Sequence, residues 1–380
     1  MKERVIGGLM KKQKVLHVLT LIEGRGEYGG PVTVARTFQH ASYKSRYELQ
    51  LIGGTREPTH SRSSWIPADH RILVKPILKK HQISSLISLK AISELFRRIH
   101  SSNIVHLHFA RDVIQIIAGL ICIVSRKPFF IQTHGMIRKK ESWIVELFDR
   151  VAIIPILKRA HINFALSDNE AIDLKEVYPK IRISILRNGY DFGELLAPIP
   201  ANSSKINIIF CSRLHVTKGI NHFCELAKEF ENNDAYRFTI FGPDGGELAW
   251  IEKFISENNL INLKYSGALP PDRVIETLAA SDLLILPSNY DPYPMVVLEA
   301  LSVGTPVLIS SVCGQASEIE KTDPNFVYKG EKSESLIRAF HLREPIKVDV
   351  VARARIRNSY HEIFGIDSVW KTLEGFYEGS

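Results

Sequence analysis

The sequence predicts an α/β protein built from two doubly wound parallel sheets. Short runs of apolar and β-branched residues alternate along the chain with segments of helical periodicity, which is typical of parallel strands joined by helices. This alternation stops near residue 195 and begins again at residue 206. At 380 residues the chain is also longer than a single hydrophobic core usually supports.

The first half is predicted to contain six strands and three helices. Pro31 falls in the first turn of its helix, where the fixed φ of proline is tolerated, and Val113–Val124 is too short to span a bilayer, which takes about 20 residues. The predicted strands are Lys14–Leu21, Tyr47–Ile52, Ile104–Phe109, Pro128–Thr133, His161–Leu166 and Ile181–Leu186. The predicted helices are Pro31–His40, Ile83–His100 and Val113–Val124.

The second half repeats the pattern. Its predicted strands are Ile206–Cys211, Arg237–Phe241, Asn262–Tyr265, Leu283–Pro287 and Pro306–Ser310, and its helices are Ile220–Phe230, Leu248–Asn258, Arg273–Ala280 and Val296–Val303. A last helix is predicted at Ser359–Tyr377. The segment between the halves is rich in Pro, Ser and Asn without periodicity. We therefore expect domains at 1–195 and 206–358, a linker at 196–205, and a final helical segment at 359–380.

The charge of the chain is unevenly divided. Residues 1–195 carry 31 Lys and Arg against 17 Asp and Glu, whereas the remainder carries 18 against 24. A basic half suggests an anionic partner, which could be nucleic acid, a membrane surface or a phosphorylated substrate, and the alternative is a solvated basic surface. The four cysteines are scattered and no apolar run follows the basic N-terminus, so we expect a cytoplasmic protein whose start is Met1 or Met10.

A glycine-rich segment follows the first predicted strand. Gly24, Gly26 and Gly29 match G-x-G-x-x-G, but a dinucleotide site also needs an acidic residue after the second strand, and that strand ends in Gly53-Gly54. The sequence therefore does not favour NAD(P). Glycines at this position still allow close approach of an anion to the helix that follows, although a plain β–α turn is the alternative.

The first strand of the second half leads into a loop with two cations. Arg213 supplies a planar fork and Lys218 a point charge, which together suit a diphosphate. The alternative is a solvated loop with two exposed cations.

Two acidic residues stand eight positions apart after the strand that ends at Pro287. Asp291 lies in a loop and Glu299 on the helix that follows, so they can reach different parts of one ligand. Carboxylates accept hydrogen bonds from hydroxyls, which favours a polyhydroxylated ligand, and free amides at Tyr293–Val296 could bind its phosphate or sugar oxygens. The alternatives are a helix-capping role for Asp291 and a solvated helix face for Glu299.

Jointly, these motifs resemble the retaining family 4 glycosyltransferases of GT-B architecture. The matching motifs are R-x(4)-K-G (Arg213, Lys218, Gly219), N-G-x-D (Asn188, Gly189, Asp191), P-S (Pro287, Ser288), the paired acids (Asp291, Glu299), G-x-P-V (Gly304, Pro306, Val307), Gly29-Gly30-Pro31 and Thr133-His134-Gly135. The chain departs from the family where Asp291 replaces a glutamate, Pro292 and Ser212 replace glycines, and Arg187 precedes Asn188 in place of proline.

The resemblance implies two Rossmann-like domains facing a central cleft, the first binding the acceptor and the second the nucleotide sugar, with residues 359–380 crossing back to the first domain. It also implies a role for each matching residue. Arg213 and Lys218 would hold the donor diphosphate, Asp291 the donor sugar and Glu299 the ribose, while His134 would lie close to the sugar, where it acts as a base or only as a structural hydrogen-bonding residue. The other implied donor-binding residues are Tyr293, Pro294, Met295, Gly29, Gly30, Gly242 and Ser288. The resemblance implies that no metal ion is needed. It also implies no cofactor, because the nucleotide sugar is a substrate.

The expected activity is retaining transfer of a hexose from a UDP- or GDP-sugar to a glycan, in surface polysaccharide or lipopolysaccharide synthesis. The basic first half suits a lipid-linked acceptor at the inner face of the cytoplasmic membrane. Its candidate lipid contacts are Arg97, Arg98, Arg138, Lys139, Lys140, Lys158 and Arg159. The alternatives are a nucleotide-sugar epimerase of the same architecture and a nucleic-acid-binding protein, although the chain lacks a nucleic-acid-reading motif.

Overall fold

The computed structural model describes residues 12–22, 29–56, 70–76, 84–137, 142–193, 204–343 and 347–380. The chain forms two compact units, one of residues 1–189 and 369–380 and the other of residues 190–368. Each unit contains its own parallel sheet with helices between the strands. The predicted fold class of two doubly wound parallel-sheet domains is confirmed.

The sheet of the first unit has seven parallel strands in the order β3-β2-β1-β6-β7-β8-β9. They are β1 Gln13–Leu21, β2 Tyr47–Thr55, β3 Arg71–Leu73, β6 Ile104–His108, β7 Phe129–Gln132, β8 Asn163–Ala165 and β9 Ile183–Ile185, and a separate antiparallel pair is formed by β4 Lys75–Pro76 and β5 Leu86–Ile87. The central strands are apolar and buried because helices cover parallel sheets on both faces. Three histidines, His17, His106 and His108, interrupt this pattern inside the sheet.

The helices of the first unit begin at defined caps. Ser88, Asp112 and Ser167 each accept a hydrogen bond from a backbone N–H of the first turn, which satisfies a donor that the helix itself leaves open. The helices are α1 Gly29–Ala41, α2 Leu89–Ser101, α3 Val113–Val124, α4 Trp143–Phe148, α5 Ile154–Arg159 and α6 Asp168–Val177, with a 3₁₀ turn at Ser42–Lys44 and a π-helical turn at Asp149–Ile153.

The sheet of the second unit has six parallel strands in the order β12-β11-β10-β13-β14-β15. They are β10 Ile206–Cys211, β11 Tyr236–Phe241, β12 Leu263–Tyr265, β13 Leu283–Leu286, β14 Val307–Ser310 and β15 Val327–Tyr328. The helices are α7 Ile220–Glu229, α8 Leu248–Glu257, α9 Pro271–Ala279, α10 Met295–Ser302, α11 Ala316–Thr322, α12 Ser333–Arg343 and α13 Val350–Phe364, with 3₁₀ turns at Val216–Lys218 and Pro324–Phe326. The strand order reverses between β10 and β13, and ligands of such sheets bind beyond the carboxyl ends of the strands at that point.

The predicted last helix, Ser359–Tyr377, is two helices. Helix α13 ends at Phe364, and the extended backbone of Gly365 separates it from α14, Ile366–Glu378. Tyr190 pairs with this break, because its N–H donates to Phe364 O and its carbonyl accepts from Ile366 N, both at 2.9 Å. This pairing places residues 190–193 and the whole of α13 in the second unit.

Other differences from the predicted elements have local causes. The helix predicted at Ile83–His100 begins later, at Leu89, because Ser88 is its N-cap. Residues 86–87 form β5 instead. The segment 142–159 and helices α6, α11 and α12 were not predicted. The predicted linker at 196–205 falls mostly outside the described residues. No helix among the described residues is long and apolar enough to cross a membrane.

Candidate functional site

The loops after β10 and β13 are joined to each other in the second unit. Thr217 O accepts hydrogen bonds from the N–H groups of Asn289 and Tyr290, at 2.9 and 3.0 Å. Gly219 has φ of +66°, and a Cβ on it would lie 1.8 Å from the carbonyl oxygen of Pro287. Only glycine fits this position, so the R-x(4)-K-G motif contains a contact that fixes the cationic loop against the P-S loop.

Lys218 and Asp291 form a buried ion pair at this junction. Lys218 Nζ lies 2.6 Å from Asp291 Oδ2, and the Asp291 side chain is almost fully buried. Burial raises the pKa of Asp291, while Lys218 and the N–H of Tyr293 act to lower it. The pair brings together two residues that the sequence suggested separately, 73 positions apart.

Arg213 lies on the same edge of the sheet with its side chain exposed. Its Cγ and Cδ atoms would lie 2.9 and 3.1 Å from a Cβ on Gly245, so that glycine makes room for the stem of the side chain. Arg213 forms no ion pair with any residue that the structure describes. Its guanidinium is therefore available to an anion beyond the carboxyl end of β10.

Glu299 lies in the second turn of α10 and is partly buried. Burial raises its pKa to about 7. Its charge acts on Tyr190 and on Cys211, the last residue of β10, and raises the pKa of both in addition to the effect of burial. Its carboxyl group has no hydrogen bond or ion pair within the described part of the chain. Its oxygens can therefore accept hydrogen bonds from a ligand.

The start of α10 is held by a loop that the sequence reasoning missed. Gln315 Nε2 donates to Pro294 O at 2.8 Å, and Gly314 N donates to Asp291 O at 3.0 Å. A Cβ on Gly314 would lie 1.7 Å from Pro292 O. Tyr293 and Pro294 are buried, and the helix begins at Met295, one residue before the predicted start at Val296. The signal in the sequence was the glycine directly after Cys313, just beyond β14.

Gly242 and Ser288 also lie at this edge of the sheet. Gly242 has φ of +150°, and a Cβ on it would lie 1.8 Å from Ser212 O, so it permits the close approach of the loop that carries Arg213. Ser288 is buried after β13. By contrast, Gly304, Pro306 and Val307 follow the end of α10 and lie at the opposite edge, where Gly304 contacts the backbone of Arg353. That motif positions α10 and does not form part of the site.

His134 lies in a tight turn of the first unit. Its φ is +49° and that of Gly135 is +70°, so the turn departs from the usual backbone conformations. Glu170 holds the turn, because its Oε1 accepts from Thr133 Oγ1 at 2.5 Å and from Gly135 N at 2.6 Å, and its Oε2 accepts from Leu166 N at 2.7 Å. Sequence reasoning missed Glu170, whose signal was an acidic residue in the first turn of α6.

The remaining candidates of the first unit have simpler surroundings. Gly29 and Gly30 begin α1, and no atom lies within 4 Å of a Cβ placed on Gly30. The residues before Gly29 lie outside the described part of the chain. Asn188 is buried and its Oδ1 accepts from Gln132 Nε2 at 3.2 Å, whereas Asp191 is exposed and caps the turn at Gly193.

The candidate lipid contacts differ in their availability. Arg97 and Arg98 both bind the carboxylate of Glu94, each through Nε at 2.9 Å. Lys158 and Arg159 are exposed at the end of α5. Residues 138–140 lie outside the described residues.

The chain is similar in sequence to known proteins. The family model of the group 1 glycosyl transferases matches residues 191–343, which include the cationic loop and the paired acids. A relative in Escherichia coli, UDP-Gal:alpha-D-GlcNAc-diphosphoundecaprenol alpha-1,3-galactosyltransferase, is 24% identical over 307 residues, which are 75% of this chain and 78% of that protein.

Solved structures show the same fold. Anabaena HepE in complex with UDP and glucose matches with a TM-score of 0.73 at 15% identity, over 97% of this chain and all of that chain (100%). The lipopolysaccharide outer core galactosyltransferase WaaB matches with a TM-score of 0.68 at 15% identity, over 97% of this chain and 99% of the other. The family match and the E. coli relative do not favour the epimerase or the nucleic-acid-binding alternative.

Proposed function

We propose that this chain is a group 1 glycosyltransferase of the GT-B fold that transfers a hexose from a UDP- or GDP-sugar to a lipid-linked glycan with retention of configuration. The observation that carries the proposal is the grouping of Arg213, the Lys218–Asp291 pair and Glu299 at one edge of one sheet. Among the described residues, the carboxyl group of Glu299 has no hydrogen bond or ion pair. Two cations and two carboxylates match the charges and hydroxyls of a sugar nucleotide.

The proposed chemistry is electrostatic. As the bond between the sugar C1 and the diphosphate oxygen lengthens, negative charge develops on the leaving phosphate and the sugar gains oxocarbenium character. Arg213 and Lys218 stabilise that phosphate charge. The acceptor hydroxyl attacks on the face that the diphosphate leaves, and the departing phosphate oxygen takes its proton, so that the configuration at C1 is retained.

Lys218 and Asp291 satisfy each other at 2.6 Å. A bound diphosphate would attract Lys218, and the Asp291 carboxylate would then accept hydrogen bonds from sugar hydroxyls. Because Asp is one methylene shorter than Glu, we propose that Asp291 selects the sugar whose hydroxyl lies closest to the pair. Glu299 would accept from the ribose hydroxyls.

Donor binding tests the proposal. UDP-galactose is the first donor to examine, since the E. coli relative is named for it, and GDP-mannose tests the other base. We expect isothermal titration to detect one of them, and Arg213→Ala or Lys218→Ala to weaken binding at least tenfold, because charge-assisted hydrogen bonds contribute about 1.5–3 kcal/mol. Arg237→Ala removes an exposed arginine at the start of β11, away from this edge, and is the matched control.

Product analysis tests the chemistry. We expect an α-linked product from an α-linked donor by NMR, and turnover that persists in EDTA because the proposed phosphate charge is met by Arg213 and Lys218. Donor incubated alone should give no epimer. Absence of binding by every nucleotide sugar, or equal binding by the Arg213, Lys218 and Arg237 variants, contradicts the proposal.

We also propose that the first unit contacts an anionic lipid surface through α4 and the turn that follows it. An apolar face on this segment consists of Trp143, Ile144, Leu147, Phe148 and Val151. Its side chains are exposed, with Trp143 at 74%, whereas Ile153, Ile156 and Leu157 on the other side are buried. Exposed Lys158 and Arg159 lie in the same segment and suit acidic headgroups, whereas exposed Arg150 is paired with Glu146 at 3.0 Å.

A further inference from the structure

Four histidines and one tyrosine form a continuous chain of polar contacts inside the first unit. His134 Nε2 lies 2.7 Å from His108 Nδ1, and His108 Nε2 lies 3.0 Å from His17 Nδ1. The hydroxyl of Tyr377, on α14, lies 3.3 Å from His17 Nε2 and 2.7 Å from His106 Nδ1. The side chains are at most 1% exposed except at His134, which is 8% exposed and forms the outer end of this histidine chain.

Each ring of the histidine chain is neutral. Burial lowers the pKa of His17 and of His134 to about 3. Burial, and then the neighbouring histidines, lower the pKa of His106 and His108 well below the ordinary value. A neutral imidazole has one N–H and one lone pair, so the role of one nitrogen fixes the role of the other. The histidine chain therefore has two consistent arrangements of hydrogens, which run in opposite directions.

Tyr377 distinguishes these two arrangements. A hydroxyl donates one hydrogen, and its shorter contact is with His106 Nδ1. If Tyr377 donates there, its oxygen accepts from His17 Nε2–H. It then follows that His17 Nδ1 accepts from His108 Nε2–H, and His108 Nδ1 from His134 Nε2–H. His134 is left with a lone pair on Nδ1.

The surroundings of His106 agree with this direction. The arrangement places the hydrogen of His106 on Nε2, and neither this atom nor Gln132 Oε1 has a hydrogen bond among the described residues, although both are buried. Burial lowers the pKa of His106, but the Gln132 side chain acts to raise it. That is the effect of an amide oxygen facing a ring N–H.

We propose that Tyr377 is a positioning residue for His134: through His17 and His108 it fixes the tautomer of His134 as Nε2–H, so that Nδ1 accepts a hydrogen bond from a ligand hydroxyl. The turn around His134 is already held by Glu170. Tyr377 on α14 therefore sets the tautomer of the His134 ring, while Glu170 holds the backbone around His134. The ligand in this statement rests on the proposed function, whereas the tautomer does not.

The experiment is long-range ¹H–¹⁵N NMR of the full chain labelled at histidine, compared with Tyr377→Phe. The four buried rings are recognised because their signals do not move between pH 5.5 and 8, and single His→Gln variants assign them. We expect all four to be Nε2–H tautomers. In Tyr377→Phe, His17 loses its acceptor, so we expect His17, His108 and His134 to shift toward Nδ1–H and kcat to fall at least fivefold.

Tyr47→Phe is the matched control. Tyr47 is as buried as Tyr377 and its ring lies 5.5 Å away, but its hydroxyl is not in the histidine chain. We expect this variant to keep the tautomers and turnover. An Nδ1–H tautomer at His134 in the unmodified protein, unchanged tautomers in Tyr377→Phe, or switched tautomers with full turnover would each overturn the proposal. The expected tautomers in a protein that binds no nucleotide sugar would instead refute only the proposed function.

Discussion

At the residue scale, the carboxyl group of Glu299 has a pKa near neutrality and has no hydrogen bond or ion pair in the part of the chain that the structure describes. Because burial raises its pKa to about 7, the group is mostly ionised at pH 8 and mostly protonated at pH 6. A protonated carboxyl is a weaker acceptor for ribose hydroxyls. We expect donor affinity by titration calorimetry to be about fivefold weaker at pH 6 than at pH 8.

Glu299→Gln provides the control for this prediction, since its donor affinity should be low at both pH values. Tyr190 and Cys211, which face Glu299, have pKa values raised by burial and do not titrate in this window. Because folding raises the pKa of Glu299 from 4.5 to about 7, the folded state loses stability as pH rises between these two values. Glu299→Gln should therefore be more stable at pH 8 by a margin of about 2 kcal/mol, and a less stable variant would contradict the argument.

Individual residues also show what the sequence could and could not predict. Arg213, Lys218, Asp291 and Glu299 were suggested by residue type and by their places after strands, and they lie at one edge of the sheet. Glu170 acts through contacts with Thr133 and Gly135, far from it in the chain. Such pairings depend on how the strands are ordered, which single-residue patterns do not encode.

At the scale of elements, the contact between the loops after β10 and β13 depends on Gly219. Gly219→Ala meets both a positive φ and a Cβ contact of 1.8 Å with Pro287 O. Gly267→Ala meets a positive φ of +81° in open space and isolates the backbone strain, which is about 1 kcal/mol. We expect Gly219→Ala to lower stability in thermal unfolding by about 2 kcal/mol more than Gly267→Ala, and to weaken donor binding. Equal losses of stability in Gly219→Ala and Gly267→Ala would show that the contact between the loops after β10 and β13 does not stabilise the fold.

The apolar face of α4 allows a second prediction at this scale. Trp143→Ser with Phe148→Ser should reduce binding to vesicles of anionic lipid at low salt at least fivefold, since both side chains are exposed and their loss opens no cavity. Leu89→Ser with Ile172→Ser removes two other exposed apolar side chains, from α2 and α6, and serves as the control. Vesicle flotation measures both, and equal binding by the two double variants contradicts the proposed surface.

Elements were predicted well where one face or both faces are buried and apolar, as in β10 and α3. The segment 142–159 was missed because its apolar residues lie on the exposed side as well as on the buried side, which removes helical periodicity. Helix α14 was merged with α13 because the apolar spacing continues across Gly365, and the break is set by pairing with Tyr190.

At the scale of the whole molecule, residues 369–380 belong to the first unit although they follow the second. Trp370, Leu373 and Tyr377 are buried, and the ring of Tyr377 packs on Tyr47 and Phe130. Truncation after Ser368 should therefore lower the melting temperature of the first unit alone, because it exposes apolar surface there. Calorimetry of the full and truncated chains should show one shifted transition and one unchanged transition, and a shift of both would contradict this division.

The return of the chain to its first unit has a consequence for the order in which the protein is made. Ribosomes release the C-terminus last, so the first sheet is synthesised nearly complete long before α14 exists. Until then the rings of Tyr47, Phe130 and Phe164 lack the cover that Tyr377 and Phe376 provide. The nascent first unit therefore exposes an apolar aromatic surface during translation of residues 190–368. We expect a chaperone to bind the nascent chain mainly in that interval.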